Sequence, residues 1–106
     1  MRKLHCLGTG TGASNFLCGA PSSGYLLTGP EDLLLDCGLG VGREVMALTE
    51  GKLPRHVYLS HTHSDHTGEL PVYMAVQYAQ ATGRLELYGH EDVLNWVRDH
   101  RLHELT

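Results

Sequence analysis

An α/β layered fold is what this 106-residue sequence predicts, and three observations lead to it. After an opening hairpin pattern, apolar runs of strand length alternate with stripes at helical spacing. The composition, 42% hydrophobic and 19% charged, is that of an ordinary globular protein. No internal repeat or low-complexity segment interrupts the alternation. At this length the chain forms one core at most, burying roughly 60 to 70% of its extended-chain surface.

Lys3 to Leu7 is a short first strand, ended by glycines at Gly8, Gly10 and Gly12. These glycines invite comparison with a phosphate loop, but neither G-x-x-x-x-G-K-[ST] nor G-x-G-x-x-G is present. A tight loop bringing backbone near the rim of a site is the better reading. Residues 13–22, with Pro21-Ser22-Ser23, read as irregular and mobile. Gly24 to Thr28 and Leu33 to Asp36 form an antiparallel hairpin around the turn Gly29-Pro30-Glu31-Asp32, where glycine and proline fix the dihedrals. Val41, Val45 and Leu48 recur at helical spacing, stopped by Gly51 and Pro54. Arg55 to Ser60 is the next strand. Leu70, Met74, Tyr78 and Ala81 then mark a helix whose stripe is core packing, with Pro71 tolerated in its first turn. Leu85 to Tyr88 is a further strand, and a last helix from Glu91 carries Val93, Leu94, Trp96, Val97 and Leu102. His90, His100 and His103 read as capping or solvated residues.

The chemistry concentrates in Leu59-Ser60-His61-Thr62-His63-Ser64-Asp65-His66-Thr67-Gly68, three imidazoles and a carboxylate within six residues. Histidine nitrogen with aspartate oxygen is the donor mixture of zinc, iron and manganese sites in hydrolases. Two apart on an extended segment, His61 and His63 project from the same side of the chain and can hold one ion together. Asp65 and His66 fall where a helix begins, so they point elsewhere and reach a second ion. The bland alternative is a histidine-rich polar turn capping a helix, but H-x-H-x-D-H is far more specific than a lone histidine pair.

His61, His63, Asp65 and His66 resemble the signature of the metallo-β-lactamase superfamily. Leu7-Gly8-Thr9-Gly10-Thr11-Gly12, Ser23 to Leu27, Leu33-Leu34-Leu35-Asp36-Cys37-Gly38 and Leu87-Tyr88-Gly89 extend the likeness, in order, to the ribonuclease Z-like and phosphodiesterase branch. The resemblance implies the N-terminal half of a four-layer αββα domain: a mixed sheet with helices on one face, residues 1–106 forming a single partial domain. It further implies a dinuclear site, two zinc ions with manganese or iron as alternatives, at which metal-activated water hydrolyses a phosphodiester. His61 and His63 would hold the first ion and Asp65 and His66 the second, with Asp65 also accepting the water's proton. Asp36 would support a ligand from behind; its other role is to satisfy backbone amides of the Gly38 to Gly42 loop. Glu69 and Thr67 depart from the small or apolar residues usual around the family motif.

Two protein ligands per ion fall short of the three usual in catalytic zinc sites, so the chain alone is expected to be inactive or weakly active. The inner face of its sheet would also lie bare, and needs the missing C-terminal half or a second copy of the chain. A non-enzymatic alternative is an inactive metal-binding fragment or a self-associating interaction domain. Thioester or lactam hydrolysis on the same scaffold is a third reading.

The formal net charge is -4, and no basic cluster exceeds Arg2-Lys3, so RNA as a partner would need basic residues from elsewhere. No apolar run nears the roughly 20 residues that cross a membrane. Cys6, Cys18 and Cys37 form no C-x-x-C pair, which favours a reduced, cytoplasmic setting. Cys6 and Cys37 read as small buried residues, Cys37 also as a neighbour of the metal site.

Overall fold

A computed structural model describes residues 2–80 and 83–103 of the chain. A five-stranded mixed sheet runs in the order β1 (Lys3–Gly8), β2 (Gly24–Thr28), β3 (Leu33–Leu35), β4 (His56–Leu59), β5 (Glu86–Gly89). The first three strands are antiparallel neighbours, and β3, β4 and β5 are parallel. The β2–β3 hairpin closes as its turn composition predicts, with Asp32 Oδ1 accepting from Gly29 N at 3.2 Å. Parallel strands require crossovers, and helices supply them: α2 (Val41–Leu48) between β3 and β4, α3 (Ser64–Thr67) and α4 (Leu70–Gln80) between β4 and β5. The remaining helices are α1 (Gly12–Cys18) and α5 (Glu91–His100).

The strand register separates two faces. Leu26, Leu34 and Val57 lie side by side, and with Leu59 they are fully buried against Val41 and Val45 of α2, Leu70 and Tyr73 of α4, and Val97 of α5. Each fully buried leucine or valine contributes about 1.5–3 kcal/mol to this core. The opposite face carries the rows Leu4, Leu27, Leu33, His56, Glu86 and Cys6, Tyr25, Leu35, Tyr58, Tyr88. Among the described residues no helix covers it: Leu4 is 62% exposed and Tyr58 and Tyr88 are 41% exposed. A depression of about 420 Å³ there is lined by Leu33, His56, Tyr58 and Tyr88 together with Glu31 and Asp32.

Several expectations need correction. Residues 13–22 are not wholly irregular, because Gly12–Cys18 is helical. Thr11 caps it by accepting from Ser14 N, and Gly19, at φ 74°, ends it in a left-handed conformation suited to glycine. No apolar stripe announces this helix, since it buries none of its residues, and Phe16 and Leu17 are 89% and 80% exposed. The α4 stripe is rotated from the one expected. Its buried positions are Leu70, Pro71, Tyr73 and Gln77, Met74 packs at the core's edge, and Tyr78 stands in solvent. At 100° per residue Gln77 falls within about 20° of Leu70 and Tyr78 about 80° away. Polar anchoring selects that face: Tyr73 Oη donates to Pro54 O at 2.6 Å and Gln77 Nε2 to Gly83 O at 2.9 Å. Ala81, the last position of the expected stripe, lies outside the described residues. Leu48, also expected on a core stripe, is half exposed at the end of α2. Cys6 is exposed, because the strand alternation turns it to the open face while its neighbour Leu7 faces the core.

His90 caps α5 by accepting from Asp92 N through Nδ1, and His100 stacks on Trp96 with ring centroids 4.7 Å apart. Among the described residues no helix is long and apolar enough to cross a membrane.

Candidate metal centre

Strand β4 delivers the chain to the site, its inward residues Val57 and Leu59 fixed in the core. Ser60 to His63 follow as a turn, and the extended backbone of His63, φ -67° and ψ 159°, opens α3. The short helix closes through Thr67 N and His66 N, which both donate to His63 O. The imidazoles of His61 and His63 consequently stand side by side, centroids 4.2 Å apart. Asp65 and His66 are one residue into the helix, and His66 Nε2 lies 3.6 Å from Asp65 Oδ2. His66 does not point away from the pair, since its ring centroid is 5.0 Å from that of His61.

Asp36 supplies the orientation. It follows β3 with φ 66°, a left-handed conformation that costs a non-glycine residue free energy and that aspartate tolerates better than most. The reward is a 7% exposed carboxylate holding three donors. Ser60 N reaches Oδ1 at 2.8 Å, and Ser60 Oγ and His66 Nδ1 reach Oδ2 at 2.6 and 2.9 Å. A carboxylate on Nδ1 fixes the tautomer with its lone pair on Nε2, the state an imidazole needs to bind a metal. Asp36 does not serve the amides of the Gly38 to Gly42 loop. Glu69 does, accepting from Gly40 N at 2.8 Å and Gly42 N at 2.9 Å and so tying the start of α2 to the motif.

Backbone hydrogen bonds stitch the motif helix to the strand ends. Cys37 N donates to His66 O at 2.7 Å, Ser23 N to Asp65 O at 2.9 Å and Glu69 N to Cys37 O at 3.2 Å. The glycine loop reaches the rim through one intermediary: Gly10 N donates to Pro21 O, and Ser22 Oγ to Thr11 O. The other side of the motif is held from α5. Arg101 donates to Thr67 Oγ1, to Ser64 Oγ and to Thr62 O. Sequence reasoning missed Arg101, because a contact across 34 or more residues leaves no local pattern.

Cys37 backs the site without entering it. Its side chain is fully buried, and burial, with Glu69 and Asp36 adding negative charge nearby, pushes the thiol far above its usual range. Iodoacetamide at pH 8 should therefore alkylate the exposed Cys6 and Cys18 and spare Cys37 in the native protein, with all three modified in denaturant. Mass spectrometry reads the outcome, and native-state labelling of Cys37 at the rate of Cys6 would contradict it.

The donors suit a borderline metal: imidazole nitrogens on His61, His63 and His66, a carboxylate on Asp65, and an orienting carboxylate on Asp36. Among the described residues no group of three or more His, Cys, Asp or Glu side chains is arranged to hold an ion by itself.

Comparison with known proteins gives a consistent picture. The chain is 36% identical over 101 residues to ML1173 of Mycobacterium leprae, covering 90% of this chain and 32% of that protein. It is 36% identical over 111 residues to Rv1339 of Mycobacterium tuberculosis, covering 88% of this chain and 39% of that protein. The chain thus spans 32% to 39% of the length of these relatives. Among solved structures, human tRNase Z, short form, superposes with a TM-score of 0.70 at 23% identity, over 100% of this chain and 41% of that one. The metallo-β-lactamase fold protein YhfI of Bacillus subtilis superposes with a TM-score of 0.67 at 22% identity, over 96% of this chain and 43% of that one. Both share its fold, so the architecture is that of the metallo-β-lactamase proteins. The family model of the Anti-Pycsar protein Apyc1 matches residues 2–105, and the chain belongs to that family.

Proposed function

We propose that this chain is the first β/α half of a metal-dependent hydrolase domain acting on phosphodiesters, of the ribonuclease Z-like and phosphodiesterase branch. The observation that carries the reading is the Asp36 to His66 Nδ1 hydrogen bond, which leaves Nε2 of His66 free beside His61 and Asp65. A histidine fixed through Nδ1 by a buried carboxylate, in a cluster of further imidazoles, is how proteins prepare metal ligands. Membership of the Anti-Pycsar Apyc1 family and likeness to a tRNase, an enzyme of RNA phosphodiesters, support the substrate class.

His61 and His63 would hold one ion and Asp65 and His66 the other, zinc in the first instance, with manganese or iron as alternatives. Such ions activate water and offset the charge developing on phosphoryl oxygens. Asp65 takes the proton released by the attacking water on its carboxylate. Asp36 keeps His66 in the ligating tautomer, and Ser60 keeps Asp36 in place. The ligands still needed come from the part of the domain that the longer relatives possess, whose sheet covers the open face bearing Leu4, Tyr58 and Tyr88. A cytoplasmic setting accords with three free cysteines. An RNA substrate would require basic groups from that other part.

The open face favours one second reading, a self-associating chain that binds metal without turnover. One experiment separates the two. In a polypeptide of the relatives' length, zinc or manganese should bind stoichiometrically, and bis(p-nitrophenyl) phosphate turnover should fall on His63→Ala by more than the 10- to 100-fold typical of residues behind the ligands. Metal far below one ion per chain, without turnover, would sink the hydrolase reading. Light scattering on residues 1–106 alone should show self-association, and a clean monomer would count against an unprotected apolar face.

A further inference from the structure

We infer that Arg101 is a positioning residue for the histidine loop, clamping it through residues other than its candidate ligands; the inference rests on the metal reading above. The motif divides by position. The rings of His63 and His66 lie within 5.0 Å of that of His61, whereas the hydroxyls of Ser64 and Thr67 and the carbonyl of Thr62 meet Arg101. Arg101 Nε donates to Thr67 Oγ1 at 3.1 Å, and one terminal nitrogen donates to Ser64 Oγ at 3.0 Å and to Thr62 O at 3.5 Å.

Thr67 makes the clamp effective. It is fully buried, and its single hydroxyl proton is shared between Thr62 O at 3.0 Å and His63 O at 3.1 Å. With that proton committed, the oxygen can serve Arg101 only as an acceptor. The hydroxyl thus links the guanidinium to the two carbonyls that flank the His63 peptide. Arg101 is in turn fixed. Its backbone caps α5 through Val97 O at 2.8 Å, and its guanidinium carbon lies 5.1 Å from the ring centroid of Trp96, in cation–π range. A planar fork held over an aromatic ring reaches three points with little loss of side-chain entropy, which a lysine cannot reproduce.

Cobalt and zinc affinity of the full-length protein tests the clamp, measured by chelator competition beside thermal unfolding of the metal-free form. Arg101→Met, which keeps the packing on Trp96, should weaken cobalt binding about 10- to 100-fold, as residues orienting ligands do. The absorption spectrum of the cobalt form should shift while the unfolding midpoint of the metal-free form changes little. Arg101→Lys should restore only part of the affinity. Ser64→Ala, at an exposed position, should cost roughly two- to tenfold in the parent and nothing in the Arg101→Met background, since both remove one interaction. Unchanged cobalt affinity and spectrum in Arg101→Met would overturn the inference, as would an undiminished Ser64→Ala effect in that background. Should Arg101→Met fail to fold, Arg101→Lys and Ser64→Ala decide alone. His63→Ala is the separating control: if it binds cobalt as tightly as the parent, the metal reading falls, whatever Arg101 does.

Discussion

Asp36→Asn is expected to leave the fold standing and lower zinc affinity about 10- to 100-fold. The substitution preserves size and shape, and its amide oxygen still accepts from Ser60 N, as Oδ1 does at 2.8 Å. The other atom changes character. Oδ2, which accepts from Ser60 Oγ and from His66 Nδ1 at 2.9 Å, becomes an NH₂ donor. Ser60 adapts by rotating its hydroxyl. His66 can adapt only by moving its proton to Nε2, which occupies the lone pair a metal needs. Reversing the amide would instead face its NH₂ against Ser60 N, two donors with no acceptor in a nearly buried place. Asp36→Ala should differ in kind, losing all three bonds to a charged acceptor and about 4–5 kcal/mol of stability, the lower end of three bonds worth about 1.5–3 kcal/mol each. Isothermal titration with zinc, beside urea unfolding of the metal-free proteins, checks both variants. An Asp36→Asn protein with parental zinc affinity would show that the tautomer of His66 is not what Asp36 controls.

The extent to which this site was legible depends on sequence distance. His61, His63, Asp65 and His66 fall within six residues, so their spacing on a strand end and a first helical turn could be read directly. Asp36 was a candidate only through the family resemblance, which has an aspartate bordering the metal site at that position; the hydrogen bond to His66 spans 30 residues and follows only from the parallel pairing of β3 with β4. Glu69 stood out as unusual without revealing its use, since the amides it accepts belong to a loop 27 and 29 residues earlier. The fold was legible where periodicity was strong, in the β2–β3 hairpin and in Val41 and Val45 of α2. It failed where the decisive force was polar or absent. Helix α1 is held by its caps rather than by an apolar face, and the rotation of α4 is decided by the hydrogen bonds of Tyr73 and Gln77. Cys6 shows a third limit, because a run apolar on both faces does not say which face the core will take.

Gly38→Ala should be the most damaging one-carbon change in the chain's described part, and it separates the placement of α3 from the chemistry of its side chains. A Cβ at Gly38 would collide with the carbonyl oxygen of Asp65 and lie 2.8 Å from Ser22 Cβ and 2.9 Å from Asp65 C. Two of these three contacts are backbone, so no rotamer change relieves them. Relief requires α3 to withdraw, which strains Cys37 N to His66 O and Ser23 N to Asp65 O, the bonds that seat the motif. The expected cost is at the upper end of the 1–3 kcal/mol typical of overpacking, about 3 kcal/mol. The candidate metal ligands should lose affinity in parallel although none of them has changed. Gly12→Ala provides the contrast. A Cβ there meets only Leu39 Cδ1 at 3.8 Å, an ordinary contact, and Gly12 begins a helix. Alanine at that position should be neutral or stabilise by up to about 1 kcal/mol. Thermal unfolding of both variants, with cobalt titration of each, distinguishes the cases. Equal midpoints for Gly38→Ala and Gly12→Ala would mean that α3 yields freely to the added carbon. The site would then be a loop that ligands arrange, and not one that the strand ends hold ready.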